Sequence, residues 1–110
     1  MFDQIQKLGQ IKEVIQNARE ELKEQTIASE SYEGMVKVEV TGNRKISNIS
    51  VDPELYEQYS PQEIHHIIHE TLNNALDKAE TQGQEYLQSR VKEYMPDIPG
   101  LDPKDFGIGS

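Results

Sequence analysis

Three groups of side chains could carry chemistry. His65 and His69 lie four residues apart in His65-His66-Ile67-Ile68-His69-Glu70, the helical spacing of paired metal ligands. Glu70 follows the second of these histidines instead of the first, so the H-E-x-x-H order is absent, and the sequence offers no third ligand. Counted round a helix from Ile64, all three histidines fall opposite the Ile67/Ile68 stripe, so a solvated face is expected and no metal site. The carboxylate pairs Glu20/Glu21 and Glu54/Glu57 lie in polar surroundings, without the apolar pocket that shifts a pKa for acid–base work. There is no phosphate-binding G-x-x-x-x-G-K-[ST], no dinucleotide G-x-G-x-x-G, no nucleophile elbow and no cysteine. No catalytic residue, no cofactor and no enzyme are expected.

The third group is cationic. Lys12, Gln16, Arg19 and Lys23 follow one another at steps of four, three and four, which keeps them within roughly 40° of the direction set by Lys12. Such a line suits a row of phosphates; its simpler use is ion pairing with Glu20, Glu24 and their neighbours. Arg44 and Lys45, beside Asn43 in a turn, form a smaller cluster at a hairpin tip, where exposure is the rule.

The chain's charge restricts how such groups could work. Twenty acids against eleven bases give 110 residues a net charge of -9, so bulk attraction to nucleic acid or anionic lipid is excluded and any such binding must be local. The acidity is uneven. Residues 1–31 hold six acids and four bases, residues 32–52 three of each, and residues 53–110 eleven and four. The first third and the middle therefore stay open to an anionic partner. The length allows one small domain. The absence of cysteine, of a signal peptide and of a roughly 20-residue apolar run leads us to expect a soluble cytoplasmic protein without membrane contact.

The elements that position these groups follow from periodicity. Leu8, Ile11, Ile15, Ala18 and Leu22 form a heptad-like seam in a first helix from Phe2 to about Gln25, narrow enough to pack on one or two partner helices. A short strand is expected at Thr26–Ser29. Met35 to Thr41 alternates strictly, with Val36, Val38 and Val40 on one face. Gly42-Asn43-Arg44-Lys45 turns the chain into a third strand, whose phase slips between Ile46 and Ile49 as a β-bulge requires. After a short helical turn in Glu54–Tyr59, Ser60 as N-cap, Pro61 at the first helical position and Glu63 open a long helix. Its stripe is Ile64, Ile67, Ile68, Thr71, Leu72, Ala75 and Ala79. Gly83 should weaken that helix by about 1 kcal/mol. Pro96, Pro99 and Pro103 forbid its continuation. The expected organisation is a single α+β domain over residues 1–95, with a three-stranded antiparallel sheet in αβββα order, and a partly disordered Pro/Gly-containing tail over 96–110.

With this element order, four segments resemble the YbaB/EbfC family of bacterial nucleoid-associated proteins. Gly34-Met35-Val36-Lys37-Val38-Glu39-Val40-Thr41-Gly42 is similar to its G-L-V-K-V strand and turn, and Ile49-Ser50-Val51-Asp52-Pro53-Glu54-Leu55 to its I-x-I-D-P-x-L. Thr71-Leu72-Asn73-Asn74-Ala75-Leu76-Asp77-Lys78-Ala79 is similar to its A-x-N-D-A-x-x-K-A, and Ile98-Pro99-Gly100-Leu101 to its closing I-P-G-L. The chain departs from the family in having Ser31-Tyr32-Glu33-Gly34 where many members have a Gly-rich link, and in an unusually acidic second helix. The resemblance implies a homodimer with associated sheets and projecting helical arms, located at the nucleoid, that grips duplex DNA without catalysis. On this reading Lys12, Gln16, Arg19, Lys23, Arg44 and Lys45 meet phosphates with little sequence preference. Leu8, Ile11, Ile15, Leu22, Val36, Val38 and Val40 supply core and dimer contacts. The rival reading is a non-enzymatic module whose helices dock an unidentified protein partner.

Overall fold

The computed structural model describes residues 2–94, with side chains from Gln6 onward; the tail expected over 96–110, with its Ile98-Pro99-Gly100-Leu101 segment, lies outside them. The order is α1 (Phe2–Leu22), β1 (Thr26–Ser31), β2 (Val36–Thr41), β3 (Ile46–Val51), α2 (Leu55–Gln58) and α3 (Pro61–Tyr94). The strands form one antiparallel sheet in the order β1-β2-β3, so the αβββα reading holds, with β1 two residues longer than expected.

Alternation decides which face of the sheet is buried. Val36, Val38 and Val40 are fully buried, Ile27 and Ser29 of β1 lie beside them, and α3 covers this face. Ile64, Ile67, Thr71, Ala75 and Ala79 are the buried helical line, recurring every three or four residues. Leu72 is only half-buried, one position round from that line. The buried Thr71 hydroxyl donates to the Ile67 carbonyl at 2.7 Å and lies 2.6 Å from the Ser31 hydroxyl, tying α3 to the end of β1. Leu55, fully buried, closes this end of the core beside Val36 and Ile64. Asp52 positions it, because its carboxylate accepts the Glu54 N–H at 2.9 Å and starts the turn into α2.

Ser60 caps α3 by accepting the Glu63 N–H at 3.2 Å, while its hydroxyl donates to the Glu63 carboxylate at 3.1 Å. The expected bulge lies opposite Glu39/Val40: Ile46 pairs with Val40 and Ile49 with Val38, so both point to the α3 face despite their odd spacing. α3 covers β1 and β2 without comparable contact to β3, leaving Ile46 50% and Ile49 44% exposed.

The α1 seam finds its partner within the chain. Ile11 and Ile15 pack with Val91 and Leu87 of α3, and Ala18 and Leu22 are buried further along. Leu8 is the exception at 47% exposure and is not core: Gln10 already stands beside Tyr94, the last described residue of α3, so Leu8 lies past the described helix pairing. The helix pair projects from the sheet, giving extents of 67 × 22 × 18 Å and a radius of gyration of 19.0 Å, against roughly 13 Å for a compact chain of this length.

Two glycines set how closely these parts approach. A Cβ at Gly42 would stand 2.6 Å from the Leu22 carbonyl oxygen, and one at Gly83 would stand 3.3 Å from the Gly42 carbonyl oxygen. Gly83 is therefore more than a weak point in α3: it lets the β2–β3 turn lie against the helix. Gly42→Ala should lower stability by roughly 1–3 kcal/mol through overpacking against backbone. Gly9→Ala, where a Cβ meets nothing within 4 Å, should raise it by up to about 1 kcal/mol through helix propensity. Thermal unfolding of the two variants checks both signs.

Candidate nucleic-acid interface

The last turn of α1 is where the cationic stripe meets the hairpin tip. Lys23, Glu24 and Gln25 donate their N–H groups three residues back, tightening the helix end. The Gly42 N–H then bridges the Leu22 and Gln25 carbonyls at 3.0 Å each. One amide of the β2–β3 turn thus satisfies two carbonyls at the end of α1 and fixes the turn against it.

The turn itself is a three-residue hairpin loop. The Arg44 N–H donates to the Thr41 carbonyl at 2.9 Å, and the Thr41 N–H to the Lys45 carbonyl at 2.7 Å. Arg44 is left-handed at φ 65°, where glycine is the easy residue and an L side chain is disfavoured by roughly 1–2 kcal/mol. The Thr41 hydroxyl steadies the loop, bonding the Asn43 side chain and accepting the Lys45 N–H at 3.0 Å.

A cleft of about 560 Å³ opens between α1, this turn and α3. Its floor is Leu22, Gly42, Ala79 and Gly83; Gln16, Arg19 and Lys23 enter from α1 and Arg44 from the turn. The two cationic clusters separated in sequence therefore share one wall-to-wall site. Lys12 is exposed on α1 outside the cleft lining, and Lys45 is exposed at the tip beside it.

Carboxylates compete inside the cleft. Glu20 holds Lys23 at 3.0 Å, and Glu80 of α3 holds Arg44 at 3.6 Å, all four side chains being about half exposed. Such pairs are weak in water and yield to a stronger anion. Sequence reading missed Glu80 and the packing role of Gly42 and Gly83, because only the packing of α3 brings them to the stripe. Glu21 points away from the cleft: its carboxylate takes hydrogen bonds from Tyr86 and, at 3.2 Å, from Arg90, which also pairs with Glu93. The Glu21 hydrogen bond holds the Tyr86 hydroxyl above its ordinary pKa, since ionisation would set two anions together.

The histidines are exposed, with His66 3.1 Å from Glu70, and among the described residues no group of three or more side chains is placed to hold a metal ion. No described helix is long and apolar enough to cross a membrane.

The molecule is thus a three-stranded sheet carrying a projecting antiparallel helix pair, with a shallow cleft that gathers Arg19, Lys23 and Arg44. The chain belongs to the YbaB/EbfC DNA-binding family, whose model matches residues 1–94; membership makes it a DNA-binding protein and not an enzyme. A nucleoid-associated protein of Flavobacterium johnsoniae is 32% identical over 96 residues, covering 87% of this chain and 89% of the relative. One of Chlorobium limicola is 35% identical, with 79% and 74% covered. The fold is also that of the uncharacterized protein HP0035 from Helicobacter pylori, whose crystal structure matches with a TM-score of 0.61 at 22% identity, over 71% of this chain and 90% of that one.

Arg44→Gly relieves the left-handed strain and loses only an exposed ion pair. Its stability should be between unchanged and about 1 kcal/mol higher, measured by denaturant unfolding. A marked loss would mean that Arg44 holds the turn together.

Proposed function

We propose that the protein is a homodimeric, nucleoid-associated DNA-binding protein that holds duplex DNA through phosphates with little sequence preference. The observation that carries this reading is the convergence of Arg19, Lys23 and Arg44 on one cleft whose backbone is fixed by Gly42 and Gly83. In a chain of charge -9, only bases gathered within a Debye length of the phosphates, about 8 Å at physiological salt, can overcome long-range repulsion. Lys12 and Lys45, exposed on either side, extend the same surface.

The dimer contact we assign to the uncovered flank of the sheet. Glu80 reaches the β2–β3 turn and Lys78 reaches the Ala28 carbonyl of β1, so these neighbouring residues mark opposite flanks of α3. Ile68, Leu72 and Leu76 share the Glu80 flank by helical spacing and are half-buried. With Ile46 and Ile49 they form an apolar strip beside an unpaired edge strand, a surface that soluble proteins cover. The α1 seam, satisfied by α3, no longer requires a second chain.

Ile46→Asp/Ile49→Asp should give a folded monomer, read as halved mass by light scattering with unchanged helical circular dichroism. A persistent dimer would place the contact elsewhere. Two copies of Arg19, Lys23 and Arg44 provide six cations, so the slope of log affinity against log salt should approach about -5. Arg19→Glu/Lys23→Glu/Arg44→Glu should abolish binding in a fluorescence-anisotropy titration while leaving the dimer intact. Unchanged affinity in that variant would move the DNA site away from the cleft.

A further inference from the structure

The end of the sheet opposite the cleft carries a second pocket of different chemistry. About 360 Å³ in volume, it is lined by Tyr32, Tyr59, Gln62, Glu63, His66 and Ile67. Tyr32 comes from the β1–β2 turn and Tyr59 from the segment leading into α3; their ring centres are 5.4 Å apart with planes at 66°. Tyr32 remains 46% exposed, so the aromatic corner opens to solvent instead of completing the core.

The surroundings are anionic. No lysine or arginine occurs between Lys45 and Lys78, the stretch that supplies five of the six lining residues along with Glu54, Glu57 and Glu70. Glu63 stands in the lining with its carboxylate fixed by the Ser60 hydroxyl, and Glu33 is exposed next to Tyr32. A nucleotide base could stack on tyrosine, but these carboxylates repel the phosphates it would bring, whereas single-strand binders pair stacking rings with a cationic groove. The complementary ligand is a cation: aromatic faces attract ammonium and guanidinium groups, and the carboxylates add to that attraction. The volume sits at the low end of the range for small-molecule sites and suits one long side chain.

We propose that this pocket receives a lysine or arginine side chain from a basic segment of a partner protein. The strands are six residues long, so the pocket and the cationic cleft lie roughly 20 Å apart, about two and a half Debye lengths at physiological salt. The protein could then hold DNA at one end of the sheet and a basic protein at the other. Only this last consequence rests on the DNA-binding reading; occupancy of the pocket does not.

The test is an NMR titration of the full-length protein with ethylguanidinium and with a short capped peptide whose only charged residue is an arginine, repeated with its glutamate counterpart. Both cationic probes should shift Tyr32, Tyr59 and His66 signals, and the glutamate peptide should not. Tyr32→Ala should weaken the arginine peptide about tenfold, Tyr32→Phe should retain it, and both variants should bind duplex DNA as the native chain does. The proposal is overturned if the cationic probes cause no shifts, if the shifts spread over the acidic surface and survive Tyr32→Ala, or if duplex DNA shifts the pocket in place of the cations. Native DNA binding is measured alongside, so failure of the cleft and failure of the pocket give separate signals.

Discussion

Everything at the functional end of this molecule depends on the approach of three backbones at Leu22, Gly42 and Gly83. The Gly42 amide closes the end of α1 by bonding the Leu22 and Gln25 carbonyls, while the absence of a side chain at Gly83 lets the same turn rest on α3. A Cβ at Gly42 would meet the Leu22 carbonyl, and one at Gly83 would press on the carbonyl of Gly42, so the space is set by main chain and cannot be regained by rotating side chains. This junction turns two unrelated basic patches into one surface and fixes where the helical arm leaves the sheet.

Charge is distributed around that junction in a way bulk composition conceals. The cleft holds Arg19, Lys23 and Arg44 against Glu20 and Glu80, and Glu21 is turned into the seam between α1 and α3 by Tyr86 and Arg90. The acidic remainder is concentrated toward α3 and the opposite end of the sheet. An acidic protein thereby gathers three cations in one cleft, with its own carboxylates as weak counterions. On the proposed reading, phosphates displace those carboxylates, and the expected affinity is modest, strongly salt-dependent and nearly sequence-blind.

Most of the fold was legible because it follows from local periodicity. The alternation of Val36, Val38 and Val40, the Ser60/Pro61/Glu63 start and the slipped phase of Ile46 and Ile49 each appear in the structure as strand, cap and bulge. The α1 seam was equally visible, but a heptad pattern does not say whose helix it meets; the partner is α3 of the same chain, and the unpartnered apolar surface lies on β3 instead. The site was half legible. Spacing alone aligned Lys12, Gln16, Arg19 and Lys23, whereas the addition of Arg44, the exclusion of Lys12 from the cleft and the opposition of Glu80 depend on tertiary contacts between residues far apart in sequence. Gly83 carries two meanings, a helix weakened by lost propensity and a contact made possible by lost volume, and only packing reveals the second.

On the proposed reading, Arg19 of α1 and Arg44 of the hairpin act on the same stretch of DNA because the glycine junction brings them to one cleft. A double-mutant cycle on duplex affinity, with Arg19→Ala, Arg44→Ala and the double variant measured at one fixed low salt concentration, tests it directly. Residues serving one shared site should deviate from additivity by more than about 0.5 kcal/mol. Additive losses, or no loss on removing Arg44, would mean that the two arginines do not share one DNA site.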